Sequence, residues 1–117
     1  MCIFDDVDTI QDKGLAKKVQ ALRGNMLETG RHSKLTVIST SHQIQNFLET
    51  RQLINEAMYV VLFPRASSIY HISTFLEKYV GLNAYQIREI YTLPTRWIFI
   101  AKQYPRYLIY QNGVMLL

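Results

Sequence analysis

Apolar and polar positions along this chain fall into blocks that switch between a two-residue and a 3.6-residue period, and the switches predict a succession of strands and helices. Residues 1–4 read as the end of a buried strand. Over residues 12–29, Leu15, Val19, Leu22 and Met26 recur at helical spacing, with Lys13, Lys17, Lys18 and Arg23 around them. Gly30 is then expected to stop that helix in the left-handed C-terminal manner of glycine. Residues 35–39 predict a strand and residues 50–57 a short helix. Residues 58–63 are apolar at every position, the pattern of an interior parallel strand, and Pro64 ends them.

A further helix is expected from Ser67 or Ser68, with Ile69, Ile72, Leu76 and Tyr79 along one face and Gly81 closing it. Asn83 with Gln86 three residues on has the form of a capping box, opening a helix through Ile87 and Ile90 that Pro94 shuts off. Residues 97–102 and 106–111 predict a hairpin around Tyr104-Pro105, and Asn112-Gly113 a tight turn into residues 114–117. Strands alternating with helices indicate an α/β fold, with a mostly parallel sheet, flanking helices and a C-terminal antiparallel hairpin. No linker, repeat or low-complexity stretch interrupts residues 1–117, so one domain is expected.

Composition narrows the class. About half of the 117 residues are apolar, and glycine and proline are few, which favours a folded chain. No apolar run approaches the roughly 18 residues that a membrane span needs. Acids follow Met1-Cys-Ile-Phe at once, so this start does not read as a signal peptide. Cys2 is the one cysteine, and His32, His42 and His71 stand singly, so neither an internal disulfide nor a zinc spacing is present. An intracellular setting is expected. The formal net charge is +4, yet all the aspartates (Asp5, Asp6, Asp8 and Asp12) precede the first base, Lys13. An acidic start before a basic body suits either a metal site beside a polyanion-binding surface or an ordinary solvated, mildly basic surface.

Two segments carry candidate chemistry. The first delivers Asp5 and Asp6 from the tip of an apolar strand. Hydrolysis of a nucleoside triphosphate needs a magnesium ion on the β- and γ-phosphates and a positioned water. Asp5 fits the metal role, because magnesium keeps most of its waters and asks for few protein oxygens, and Asp6 fits the acid that polarises the water. The same pair also suits a solvated turn or a helix N-cap. The second segment runs Gly30-Arg31, then an apolar strand, then Thr40-Ser41-His42-Gln43. Small polar groups at the tip of a neighbouring strand can sense a γ-phosphate, and an arginine at a subunit edge can neutralise charge developing in a neighbour's site. Arg31 as a loop arginine and His42 as a turn histidine are the plain alternatives. No G-x-x-x-x-G-K-[ST] occurs anywhere, so these residues cannot cradle a triphosphate on their own.

The order Phe-Asp5-Asp6-Val, then Gly-Arg31-x-x-x with its strand and Thr40-x-His42, resembles the FtsK/HerA superfamily of P-loop ATPases. Leu62-Phe-Pro64-Arg65-Ala-Ser and the terminal Arg96-Trp97-Ile-Phe-Ile-Ala-Lys102 with Tyr104-Pro105-Arg-Tyr107 extend the resemblance over residues 3–117. Together they are similar to the genome-packaging ATPases of large double-stranded DNA viruses, of the poxvirus and giant-virus type. The resemblance implies part of a RecA-like (ASCE) domain that couples ATP hydrolysis with Mg²⁺ to the translocation of double-stranded DNA into a capsid. It implies Asp5 at the metal, Asp6 as catalytic acid, Arg31 acting in trans and His42 as sensor, with Thr40 and Gln43 on the nucleotide. The bacterial translocases carry Thr-Gln at that strand tip, and their Gln falls on His42, so His42 and Gln43 are rival sensors.

The implied partners are DNA, neighbouring subunits of a homo-oligomeric ring and the capsid or its portal vertex, in a host-cytoplasm viral factory or the virion. In this family the P-loop strand lies between the sensor strand and the strand that follows it in sequence, here residues 35–39 and 58–63. The resemblance therefore implies that Met1 is not the start of the functional polypeptide and that a P-loop portion completes it. A different class of reading is a non-catalytic basic module that grips DNA or a motor subunit. Lys17, Lys18, Arg96, Lys102 and Arg106 would then meet phosphates, with Tyr104 and Tyr107 stacking on bases. Cross-strand packing in a hairpin explains the tyrosines equally.

Overall fold

The computed structural model describes residues 1–30, 32–42 and 47–117, with residues 47–49 described by their backbone alone. It is a mixed α/β structure of two compact units, Met1–Glu56 and Ala57–Leu117. A two-stranded parallel sheet lies in the first and a four-stranded antiparallel sheet in the second.

In the first unit the chain runs β1 (Cys2–Phe4), a 3₁₀ turn (Val7–Thr9), α1 (Lys13–Thr29), β2 (Val37–Ser39) and α2 (Phe47–Glu56). Asp12 caps α1, its Oδ1 accepting from the Gly14 and Leu15 amides at 2.8 and 3.0 Å. This answers two of the amide groups that a helix start leaves without partners. Gly30 does end the helix, but in a right-handed conformation (φ −61°, ψ −28°). Glycine is needed there for space, since a Cβ would run into the Met26 carbonyl oxygen.

The expected apolar stripe of α1 is only partly covered, with Val19 and Met26 half-buried. Leu15 and Leu22 are exposed, whereas Arg23 is only 3% exposed. Helix α1 packs on α2 through the side bearing Arg23 and Gly24, which leaves the leucine stripe facing outward. Nor is β1 a buried strand: Ile3 and Ile38, paired across the parallel ladder, are both exposed. Among the described residues of the unit, Val7 and Ile54 are the buried apolar side chains.

The second unit runs β3 (Tyr59–Leu62), α3 (Ile69–Phe75) passing directly into a π-helical turn (Leu76–Val80), α4 (Ala84–Thr92), β4 (Ile98–Ala101), β5 (Tyr107–Tyr110) and β6 (Gly113–Leu116). The strands pair in the order β3-β4-β5-β6. The expected mostly parallel sheet is thus corrected: β1 and β2 form the parallel pair, and β3 is an antiparallel edge strand. One helix between two strands returns the chain for parallel pairing, whereas α3 and α4 in succession add a reversal. Tight hairpins make β4, β5 and β6 antiparallel in any case.

Ile72, Phe75, Leu76 and Ile90 from the helices are fully buried, as are Ile98, Ile100 and Leu108 from one face of the sheet. Ile69, expected on the buried stripe, is exposed, and Phe75 takes the core position instead. The capping box at Asn83 and Gln86 is formed in both directions, at 2.9 and 3.0 Å. Gly81 has φ +76°, and beyond it the Leu82 amide reaches back to the Leu76 carbonyl at 3.0 Å, the left-handed stop that glycine allows. The last hairpin turns on Gln111-Asn112, neither at positive φ, and Gly113 is already the first residue of β6. Buried Thr95 ties the start of β4 to this turn, its Oγ1 donating to the Trp97 carbonyl and accepting from the Gln111 amide.

Candidate functional site

The parallel pairing of β1 with β2 sets Phe4 opposite Ser39, so the next residues of both strands emerge side by side at the same sheet end. The Thr40 amide donates to the Phe4 carbonyl at 2.9 Å and carries the pairing one step past the strands. Asp5 and Asp6 leave one strand tip; Thr40, Ser41 and His42 leave the other.

Thr40 joins the two tips. Its Oγ1 accepts from the Asp6 amide at 3.1 Å and lies 2.5 Å from Asp5 Oδ1 and 3.4 Å from Asp6 Oδ1. A hydroxyl has one proton, and the shorter distance assigns it to Asp5. That leaves the Asp6 carboxylate to His42, whose Nε2 stands 3.1 Å from Oδ1 and 3.2 Å from Oδ2. A backbone turn at Asp6 makes this possible: φ 48° and ψ 41° put a non-glycine residue in the left-handed region. Strain of this kind persists where surroundings fix it, and here the Asp6 amide is held by Thr40 while its carbonyl accepts from Thr9 Oγ1 at 2.8 Å.

Two further links surround the junction. Ser41 Oγ donates to Asp8 Oδ2, so a third aspartate is tied to the β2 tip. Arg23 Nη1 donates to Ser39 Oγ at 3.3 Å from within the unit and braces the residue before Thr40. Neither link is legible in sequence. Asp8 reads as one more acid of a solvated run, and Arg23 as part of a polar helix face. The one hint is an arginine three residues before Leu22's next helical neighbour, Met26, on a helix that leads straight to the strand it braces.

Of the expected site residues, Asp5, Asp6, Thr40 and His42 are brought together, and Arg31 and Gln43 lie outside the described residues. Asp5, Thr40 and His42 are exposed and Asp6 is half-buried, so a ligand could reach the cluster from solvent. Carboxylate and hydroxyl oxygens are hard donors of the kind magnesium takes. Among the described residues no three His, Cys, Asp or Glu side chains are grouped to hold a metal by themselves. The described residues also contain no helix long and apolar enough to cross a membrane.

No protein-family model and no solved structure matches the chain. It is similar to "Uncharacterized protein V3" of Sputnik virophage, with 43% identity over 115 residues. That match takes in 97% of this chain and 46% of the virophage protein, so the chain spans about half the length of the curated relative it matches. The relationship is to a viral protein.

Proposed function

We propose that this chain is the metal-site and sensor part of a DNA-packaging ATPase of the FtsK/HerA type, in which ATP hydrolysis with Mg²⁺ drives double-stranded DNA into a capsid. The observation that carries the reading is the junction itself. Two parallel strands end side by side, one delivering adjacent aspartates and the other a threonine and a histidine in direct hydrogen-bond contact with them. Two supporting features are that among the described residues β2 and β3 are each an edge strand of their own sheet, and that the relative is viral.

In this mechanism Asp5, with Thr40 donating to one of its oxygens, offers its other oxygen to the magnesium site. Bound there, the ion would neutralise phosphate charge. Asp6 lies beside it, aimed by the left-handed turn, and accepts a proton from the attacking water. His42 holds the Asp6 carboxylate and links its orientation to the β2 tip, where a change at the γ-phosphate is felt. Arg31 is the candidate for the charge supplied across a subunit boundary, and Gln43 remains the rival to His42. Ring assembly, capsid docking and a place in the viral factory or virion follow from the same reading.

The experiment is reconstitution. The 117-residue chain alone should neither bind nor hydrolyse ATP. Joined to a P-loop-bearing portion it should hydrolyse, and Asp5→Asn or Asp6→Asn should each lower turnover by at least about 100-fold, the scale of losing a general base or a metal ligand. Turnover by the chain alone would sink the proposal. The second reading, a DNA-gripping module, is favoured by Tyr104, which is 95% exposed at the tip of the β4–β5 hairpin between Lys102 and Arg106. Under that reading DNA binding survives both aspartate substitutions.

A further inference from the structure

Three consecutive residues leave the end of β2, and each meets a different aspartate from beyond β1. Thr40 holds Asp5, Ser41 holds Asp8 and His42 holds Asp6. Thr40 and His42, two positions apart, share the adjacent pair Asp5 and Asp6. Ser41 between them turns to Asp8, the alternation of a chain leaving a strand. Asp5 and Asp6 have places in the mechanism above; Ser41 and Asp8 have none.

The three contacts differ in setting. Those of Thr40 with Asp5 and of His42 with Asp6 are open to solvent, and 76% of the His42 side chain is exposed. Water competes for groups so placed, and an exposed charged pair holds its partners weakly. The Ser41–Asp8 contact is partly buried. There a hydroxyl donating to a carboxylate is strengthened both by the charge and by the lower local dielectric. Asp8 is also mounted differently. It belongs to the 3₁₀ turn Val7–Thr9, which lies against α1 and whose Val7 is 3% exposed.

We infer that Ser41 and Asp8 are the positioning pair of this junction: they anchor the β2 tip to the turn on α1 while the flanking contacts of Thr40 and His42 open and close. The opening of the flanking contacts rests on the ATPase reading, in which the Asp5 and Asp6 carboxylates must give up protein donors to serve an ion and a water. If all three contacts were equal, freeing those two carboxylates would release the tip. With Ser41 anchored, Thr40 and His42 stay within reach and can close again. A carboxylate outside the chemistry suits that task, because nothing in the reaction competes for it.

The test is amide hydrogen exchange, read by NMR on the 117-residue chain. The Thr40 amide, bonded to the Phe4 carbonyl, reports the closed tip, and the Cys2 amide, bonded to the Thr36 carbonyl, reports the far end of the same ladder. Asp8→Ala and Ser41→Ala should each speed exchange at Thr40 by about tenfold, the scale of losing a hydrogen bond to a charged group, and leave Cys2 unchanged. Asp8→Asn keeps an acceptor oxygen for the Ser41 hydroxyl and should restore most of the protection. Thr40→Val and His42→Ala, which remove the flanking contacts, should change exchange at the Thr40 position by less than about twofold. Unchanged exchange at Thr40 in both Asp8→Ala and Ser41→Ala would overturn the inference. So would loss at Cys2 in step with Thr40, no recovery in Asp8→Asn, or a flanking variant that loosens the tip as much as Asp8→Ala does. The expected exchange pattern in a chain whose reconstituted enzyme shows no turnover would leave the anchor standing and count against the ATPase reading alone.

Discussion

Asp6 carries two demands at once, a left-handed backbone and a carboxylate aimed at His42. For an L-residue with a Cβ the left-handed region costs about 1–2 kcal/mol, and glycine escapes that cost. Asp6→Gly should therefore be more stable to urea than Asp6→Ala by about 1 kcal/mol, although both lack the carboxylate; equal midpoints would mean that the turn relaxes in solution. The residue types of this site were legible: adjacent acids after an apolar run, and Thr40 with His42 after another. What joined them was not. The single proton of Thr40, the turn at Asp6 and the brace from Arg23 depend on strand register and on which side of α1 faces inward, and residue spacing specifies neither.

At the scale of elements, local chemistry proved a good guide to where helices start and stop and a poor one to which face they bury. Asn83→Ala removes one half of a formed capping box, the Oδ1 that accepts from the Gln86 amide, and should cost about 1 kcal/mol in thermal or urea unfolding. A loss under a few tenths would show that water replaces the cap. Gly30→Ala brings a Cβ against the Met26 carbonyl and should cost about 1–3 kcal/mol, the scale of overpacking against groups that cannot yield. No loss would mean that the helix end is free to unwind. Caps were readable because they involve residues within four positions of each other. The outward turn of Leu15, Leu22 and Ile69 was not, because helical periodicity reports an apolar stripe and is silent on what covers it.

Exposed apolar side chains stand at several places on the chain: Ile3 with Ile38, Leu15 with Leu22, and Tyr59, Val61, Val114 and Leu116 on the edge strands of the β3–β6 sheet. Exposed patches and unpaired strand edges of this kind drive association. The free chain should therefore self-associate non-specifically as concentration rises, and Val61→Thr with Val114→Thr should raise its solubility limit while leaving its secondary structure intact. Light scattering that is the same for both proteins would place the sticky surface elsewhere.

By itself the sequence determined the alternation of strands and helices, their caps, the acidic start and the polar tip of β2, because each rests on chemistry between near neighbours. The tertiary structure alone decided that β3 is an antiparallel edge strand, that Arg23 turns inward, and that Asp5, Asp6, Thr40 and His42 meet. Those outcomes join residues more than thirty positions apart or choose between two faces of one element, and such choices are made by packing.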